Sequence, residues 1–172
     1  MRILGVDPGS IATGWGLVCG DPGRPELVDC GVIRLPGDSF AGRLAVLKTD
    51  FETLVERLEP SSAAVESAFH GSHPRAALQL AHSRGVILAT LAAAGIDVAE
   101  YTPATVKKSV TGNGRASKEQ VRSMVFRLLR APSRRSPSDL SDALAVALCH
   151  AASQAFHSRI PRPTRAVSPR PR

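Results

Sequence analysis

The sequence predicts an α/β layer fold, in which one five-stranded mixed β-sheet carries helices on both faces. Two observations lead to this fold class. Three apolar runs near the amino terminus are joined by short turns containing Gly and Pro, which is typical of an antiparallel meander. Further along, strand and helix patterns alternate before the second half becomes helical. The predicted strands cover residues 2–6, 13–18, 27–35, 63–66 and 96–100.

The helices follow from apolar spacing and from residues that cap helix ends. The first repeats apolar residues at steps of three and four, with Asp38 or Ser39 as its cap. Ser117 opens a capping-box pattern for the third helix. Ser136 followed by Pro137 is a typical start for the last. The predicted helices cover residues 40–58, 74–94, 118–128 and Pro137 to about Ala155.

The 172 residues and the net charge of +7 fit one domain with a basic tail. Residues 1–100 carry a net charge of −4, residues 101–142 carry +6, and residues 143–172 contain five Arg and no acidic residue. From His157 onward, Pro and Arg alternate in a way that excludes helix and central strand. We therefore expect a folded domain over residues 1–156 and a disordered basic tail over residues 157–172. The positive second half indicates an anionic partner.

Several classes of protein are excluded at this stage. No run of 18 apolar residues occurs, so we expect no membrane span. The amino terminus reaches Asp7 and a turn too early for a secretion signal. The three cysteines, Cys19, Cys30 and Cys149, lack disulfide or metal-finger spacing. We expect them to be reduced thiols in a cytoplasmic protein.

Four acidic residues occupy positions where carboxylates are unusual. Asp7 ends the first strand and Glu66 ends the fourth, each after apolar or small residues. Asp139 and Asp142 lie three residues apart at the start of the last helix, on one helical face. Each has an alternative explanation: Asp7 as a turn residue, Glu66 as a surface residue, and Asp139 as a helix cap that complements the dipole.

Taken together, the four carboxylates predict a site for a hard divalent cation, either Mg²⁺ or Mn²⁺. Two such ions about 4 Å apart activate a water molecule and stabilise the leaving oxygen in phosphodiester cleavage. His150 lies too far along the last helix to share that site.

Cationic and aromatic residues suggest contacts with phosphate and bases. Lys107, Lys108 and Lys118 are three of only four lysines beside 18 arginines, which suggests phosphate neutralisation, with a solvated helix surface as the alternative. The turn ending at Arg115 presents backbone N–H groups to phosphate. Phe69 follows Glu66 by three residues and either anchors its loop or stacks on a base.

Four segments resemble the RuvC family of crossover junction endonucleases. They are residues 6–16 (VDPGS…TGWG), 65–69 (VESAF), 106–121 (VKKSVTGNGRASKEQV) and 139–147 (DLSDALAVA), and the resemblance spans about residues 2–150. It implies a ribonuclease H-like fold, a homodimer, and resolution of four-way Holliday junctions with Mg²⁺. It also implies a partnership with the RuvA–RuvB branch-migration complex.

The resemblance assigns the catalytic and metal-binding acids to Asp7, Glu66, Asp139 and Asp142. It places Lys107 and Lys118 near them, and Phe69 in contact with DNA. The sequence departs from the family at His73, where Asn is common, and at Ala81 and His82, where Gly and Gln are usual. These positions lie in or near the helix that the family uses for dimerisation, which is residues 74–94 here.

Three other functions are compatible with parts of the sequence. An actin-like or sugar-kinase ATPase needs a second subdomain, for which 172 residues are too few. A non-catalytic DNA-binding protein leaves the four acids unexplained, because unpaired acids repel phosphate. A ribonuclease H or integrase-type nuclease shares the acids and differs only in substrate.

Overall fold

Five strands and five helices make up the part of the chain that the computed structural model describes, residues 1–21, 23–67, 74–131 and 138–159. Within the last range, side chains are described for residues 140–156. The strands are β1 (Arg2–Asp7), β2 (Ala12–Asp21), β3 (Arg24–Arg34), β4 (Ser62–Glu66) and β5 (Val98–Tyr101). The helices are α1 (Phe40–Leu58), α2 (Pro74–Ala93), α3 (Pro103–Thr111), α4 (Lys118–Leu128) and α5 (Ser138–Arg159).

The strands form one mixed sheet in the order β3-β2-β1-β4-β5. β1, β2 and β3 are antiparallel neighbours, as the closely spaced apolar runs predicted. β4 and β5 continue the sheet in parallel with β1, because helices connect these strands. The predicted five-stranded mixed sheet is therefore confirmed.

Helices cover both faces of the sheet, again as predicted. α1 and α2 pack on one face, where they bury Leu4 and Val65 together with Phe51. α3, α4 and α5 pack on the other face, over Ile3 and Ala64. Successive residues of a strand point to opposite faces. This explains why β1 and β4 are apolar throughout instead of alternating with polar residues.

α5 lies directly against the centre of the sheet because glycines leave room for it. A Cβ atom at Gly5 would lie 2.1 Å from the carbonyl oxygen of Ala143 and 2.6 Å from the backbone nitrogen of Ala147. A Cβ atom at Gly16 would lie 2.5 Å from Leu144. The backbone of α5 therefore reaches β1 at a distance that no other residue at position 5 permits.

The predicted helix caps are confirmed where the structure describes them. Ser39, not Asp38, caps α1, with its hydroxyl accepting a hydrogen bond from the backbone N–H of Gly42 at 3.0 Å. Ser117 and Gln120 form the reciprocal capping box at the start of α4. Pro137 and Ser136, the expected start of the last helix, lie outside the described residues.

Two helical predictions need correction. α3 was not predicted as a separate helix; Thr102 caps it and Pro103 is its first residue. α5 continues past Ala155 to Arg159, so residues 157–159 are helical and do not belong to an irregular tail. The prolines that end a helix start only at Pro161. The remainder of the predicted tail lies outside the described residues.

α2 is a partly covered helix with a mixed surface. Among the described helices, it is the one that is long and apolar enough to cross a membrane by length and composition alone. Its Ile87 and Leu91 are buried in the core of the domain. His82, one of the departures noted above, contacts the ring of Phe40 on α1, with ring centroids 5.8 Å apart. His73 lies outside the described residues.

All three cysteines are free, as expected. Cys149 is buried in α5, while Cys19 and Cys30 are partly buried in the sheet. Burial raises the pKa of the Cys149 thiol, which keeps it protonated at neutral pH.

Candidate active site

Asp7 and Glu66 end two neighbouring parallel strands. Val6 of β1 pairs with Val65 of β4. The residue that follows in each strand, Asp7 or Glu66, therefore lies beside the other at the carboxyl edge of the sheet. Both lie an even number of positions beyond residues that face α5, namely Ile3 and Ala64. Their side chains therefore project to the α5 face. A hydrogen bond joins the Asp7 and Glu66 carboxyl groups.

α5 brings a third carboxylate to this edge. Asp142 directly precedes Ala143, the residue whose carbonyl oxygen lies over Gly5, and its side chain is 21% exposed. Its charge acts on Glu66 and raises the pKa of that group. Asp139 lies three residues earlier on the same helix. The side chain of Asp139 is outside the described residues, so its predicted role stays a prediction.

Lys118 reaches the carboxylates from the first position of α4. Its Nζ donates a hydrogen bond to Oδ2 of Asp142 at 3.3 Å. Asp142 makes the largest contribution to raising the pKa of Lys118, and Asp7 and Glu66 add to it. The ammonium group therefore stays charged at neutral pH. Its side chain is 73% exposed, so this ion pair adds little to stability.

Glu66 lies among opposing electrostatic influences. Burial is the largest, and it raises the pKa of Glu66, as does the charge of Asp142. The hydrogen bond with Asp7 and the charges of Lys118 and Lys107 lower it. The net result is a raised pKa, because the carboxylate is removed from water beside another anion. Such a group gains most from a nearby cation.

The donor chemistry of these residues suits a hard divalent ion. Asp7 is hydrogen-bonded to Glu66, and the charge of Asp142 acts on both Glu66 and Lys118. A dication there would offset the burial of Glu66 and its repulsion by Asp142, which together raise the pKa of Glu66. In the part of the chain that the structure describes, no group of three or more His, Cys, Asp or Glu side chains is arranged to hold a metal ion. The side chain of Asp139, the fourth predicted ligand, lies outside that part.

Two cavities meet at Glu66. One, of about 240 Å³, is lined by Asp7, Glu66 and residues from α2. The other, of about 250 Å³, is lined by Glu66, Asp142, Lys107 and Lys118. The carboxylates therefore form a ridge between two recesses, one on each side of the sheet edge.

The predicted cationic residues separate into two groups. Lys107 and Lys118 line the cavity beside Glu66 and Asp142. Lys108 and Arg115 are exposed and do not line it. The backbone N–H of Arg115 donates to the side chain of Asn113 at 2.9 Å, which fixes the turn between α3 and α4. Phe69 lies outside the described residues.

Arg84 was missed by the sequence analysis. It lies on α2, lines the same cavity as Asp7 and Glu66, and forms an ion pair with Glu100 of β5. An arginine in the middle of a small-residue helix carries no local signal of this placement. Only the pairing of β4 with β5 brings Glu100 next to the edge of the sheet where Glu66 lies.

Comparison with known proteins shows the family of this chain. The model of the family described as crossover junction endodeoxyribonuclease RuvC matches residues 3–150. The chain belongs to the RuvC family. It is 44% identical to the RuvC of Roseiflexus sp. (strain RS-1) over 150 residues, which are 87% of this chain and 89% of that protein. It is also 44% identical to the RuvC of Moorella thermoacetica, over 92% of this chain and 96% of that protein.

Solved structures agree with this assignment. A structure of Thermus thermophilus RuvC in complex with a Holliday junction substrate matches with a TM-score of 0.85 and 29% identity, over 92% of this chain and 97% of that one. The yeast mitochondrial Holliday junction resolvase, at 14% identity and a TM-score of 0.69, shares the fold. The fold is therefore the ribonuclease H-like fold of these resolvases, as expected.

Membership of the RuvC family settles the class of activity. The protein is a crossover junction endodeoxyribonuclease, which hydrolyses DNA phosphodiester bonds to resolve Holliday junctions in recombination and repair. Enzymes of this family are metal-dependent nucleases. The kinase, ATPase and non-catalytic alternatives are thereby excluded.

Proposed function

We propose that Asp7, Glu66, Asp139 and Asp142 form the catalytic centre and hold two Mg²⁺ ions in each subunit, with Mn²⁺ as a substitute. Bound there, the ions would supply an activated water and stabilisation of the leaving oxygen. The observation that carries the proposal is the position of Glu66, hydrogen-bonded to Asp7 and under the charge of Asp142, Lys107 and Lys118.

The protein's own groups have separate tasks in this scheme. The carboxylates would hold the ions that position the cleaved phosphate, and the buried setting of Glu66 reduces competition from bulk water. Lys118, held by Asp142 and charged at neutral pH, donates to phosphate oxygens as negative charge increases in the transition state. Lys107 neutralises the phosphate from the same cavity.

DNA contacts are proposed for four further residues or segments. Phe69 stacks on a base near the junction, and Lys108 and Arg115 bind backbone phosphates beside the site. The net charge of +6 over residues 101–142 supports this, since affinity for DNA depends mainly on phosphate neutralisation. The basic tail adds sequence-independent affinity.

The assembly that we propose is a homodimer acting on four-way DNA in the cytoplasm. One active site cuts one strand, so paired symmetric nicks require two sites related by a twofold axis. α2 supports this arrangement, because Leu78 is 59% exposed on a helix with few buried residues. The RuvA–RuvB branch-migration complex is the proposed partner.

A substrate comparison tests the proposed function. The protein is incubated with Mg²⁺ and, separately, a mobile four-way DNA junction, a linear DNA duplex and an RNA–DNA hybrid of the same sequence. Paired nicks in the junction, with the duplex and hybrid left intact, are expected. Equal cutting of the hybrid would contradict the proposal and favour a ribonuclease H-type nuclease.

A further inference from the structure

Arg84 lies beside the carboxylates on the face of the sheet opposite the lysines. It belongs to α2, which packs with α1, whereas Lys107 and Lys118 belong to α3 and α4 on the other face. It lines the cavity of about 240 Å³ that also contains Asp7 and Glu66. Cationic groups therefore approach the ridge of carboxylates from both sides.

The guanidinium of Arg84 is anchored and has donors to spare. Nη2 pairs with Glu100 of β5, the residue opposite Val65 in the sheet. Nε is buried and has no hydrogen-bond partner among the described residues. An arginine carries five N–H donors, and a buried donor without an acceptor is costly. The side chain is 21% exposed, so it remains accessible from the cavity.

The chemistry of the cavity indicates which ligand completes this arrangement. Asp7 and Glu66 already supply negative charge, so a further anion enters only where a cation compensates for it. A planar guanidinium matches phosphate oxygens and accepts them in pairs. A DNA strand that crosses the carboxylates places one phosphate at the cleavage site and its neighbours on either side. The lysines are on one of those sides, and Arg84 is on the other.

We propose that Arg84 is a phosphate-binding residue of the DNA site, which holds the phosphate next to the cleaved one on the side away from Lys107 and Lys118. Glu100 keeps the guanidinium directed at the cavity before DNA arrives. This inference rests on the proposed function, since it assumes that DNA crosses the carboxylates.

Binding of a four-way junction in EDTA tests the proposal without any cleavage. Arg84→Gln should weaken binding at least fivefold at low salt. It should also lower the slope of log Kd against log salt concentration by about 1, because one phosphate contact is lost. Arg84→Lys should keep part of the affinity, because the single ammonium group keeps the charge but lacks the paired N–H donors of the guanidinium.

Two matched variants separate phosphate binding from a structural role. Glu100→Gln removes the carboxylate charge but keeps the cation and a side-chain oxygen that accepts a hydrogen bond from it, so its loss of affinity should be clearly smaller than that of Arg84→Gln and its salt slope should stay at the wild-type value. Arg57→Gln breaks another arginine–carboxylate pair, with Asp29 at 3.0 Å, away from the cavity, and should leave the slope unchanged.

An equal loss of affinity in Arg84→Gln and Glu100→Gln, or an unchanged salt slope in Arg84→Gln, would overturn the proposal. Thermal unfolding of both variants shows whether they fold. Because these measurements exclude divalent ions, they do not depend on whether the carboxylates are the catalytic centre. Whether the carboxylates form the catalytic centre is tested separately, by measuring junction cleavage by the Asp7→Asn variant.

Discussion

At the scale of single residues, the role proposed for Lys118 is separate from the stability of the fold. The side chain is mostly exposed, and its hydrogen bond to Asp142 is 3.3 Å long. Exposed pairs of this kind contribute little to folding. The role that we propose for it depends on its positive charge beside three carboxylates, which raise its pKa further.

Lys118→Ala should therefore reduce cleavage while leaving the fold intact. We expect the single-turnover rate on a four-way junction to fall about 100- to 1,000-fold, as on removal of one transition-state donor. The melting temperature should change little. Lys48→Ala is the matched control, since Lys48 forms an exposed pair with Glu52 at 2.7 Å on α1. Cleavage by Lys118→Ala at the wild-type rate would show that Lys118 does not take part in the reaction.

At the scale of secondary-structure elements, the close contact of α5 with β1 positions the site. Gly5 is the point of contact, where the helix backbone leaves no space for a side chain. The apolar character of β1 and the small residues of α5 are visible in the sequence. The sequence does not show which glycine contacts which turn of the helix, because that depends on how two distant elements pack.

Gly5→Ala should displace α5 and with it Asp142. We expect a loss of stability of about 1–3 kcal/mol from overpacking, together with a loss of cleavage, because Asp142 moves relative to Asp7. Chemical denaturation and single-turnover cleavage measure the two effects. Gly42→Ala on α1 is the control, since its new Cβ would meet only the side chain of Ser39, at 3.4 Å from Oγ and 3.9 Å from Cβ. Unchanged stability of Gly5→Ala would contradict the packing described here.

A hydrogen-bond chain connects the middle of α5 to the sheet. Gln154 Nε2 donates to His150 Nε2 at 2.8 Å and to Ser62 Oγ at 3.3 Å. His150 Nδ1 then carries the ring proton and donates to the Tyr101 hydroxyl at 2.9 Å. Burial lowers the pKa of His150, so the folded protein favours the neutral ring.

This chain predicts a pH dependence of stability. The unfolded chain takes up a proton as the pH falls through about 6.5, whereas the folded protein does so only at lower pH. The free energy of unfolding should therefore fall between pH 7.5 and 5.5, by at most about 1.4 kcal/mol per pH unit from this group. His150→Gln should flatten the dependence. Identical pH profiles for the two proteins would contradict the prediction.

Most strands and helices could be predicted from the sequence, but some residues of the candidate site could not. Strand order followed from short turns and connecting helices, and the acids at the ends of β1 and β4 followed from their unusual positions. α3 was missed because its nine residues give little periodicity. Arg84 was missed because its partner, Glu100, is brought near only by the pairing of β4 with β5.

At the scale of the whole molecule, the net charge of +7 conceals an acidic site with cations on both sides. The carboxylates lie on a sheet edge, with Lys107 and Lys118 on one side and Arg84 on the other. The proposed dimer places a second such site nearby, and α2 has the exposed apolar surface for it.

Leu78→Asp should therefore separate the subunits. Sedimentation at micromolar concentration should show a dimer for the wild type and a monomer for the variant, and paired nicking of junctions should be lost. Leu128→Asp, on the exposed surface of α4, is the control and should remain dimeric. A wild-type monomer, or a dimeric Leu78→Asp variant, would contradict the proposed assembly.

We propose that the carboxylates at the ends of β1 and β4 and on α5 perform the cleavage. Single-turnover cleavage of a four-way junction by Asp7→Asn, measured beside junction binding, tests it most directly. The substitution keeps the shape of the side chain and removes one negative charge. We expect cleavage to fall at least about 1,000-fold while binding is retained or tightened, because the site repels phosphate less. Cleavage at the wild-type rate would show that Asp7 is not part of the catalytic centre.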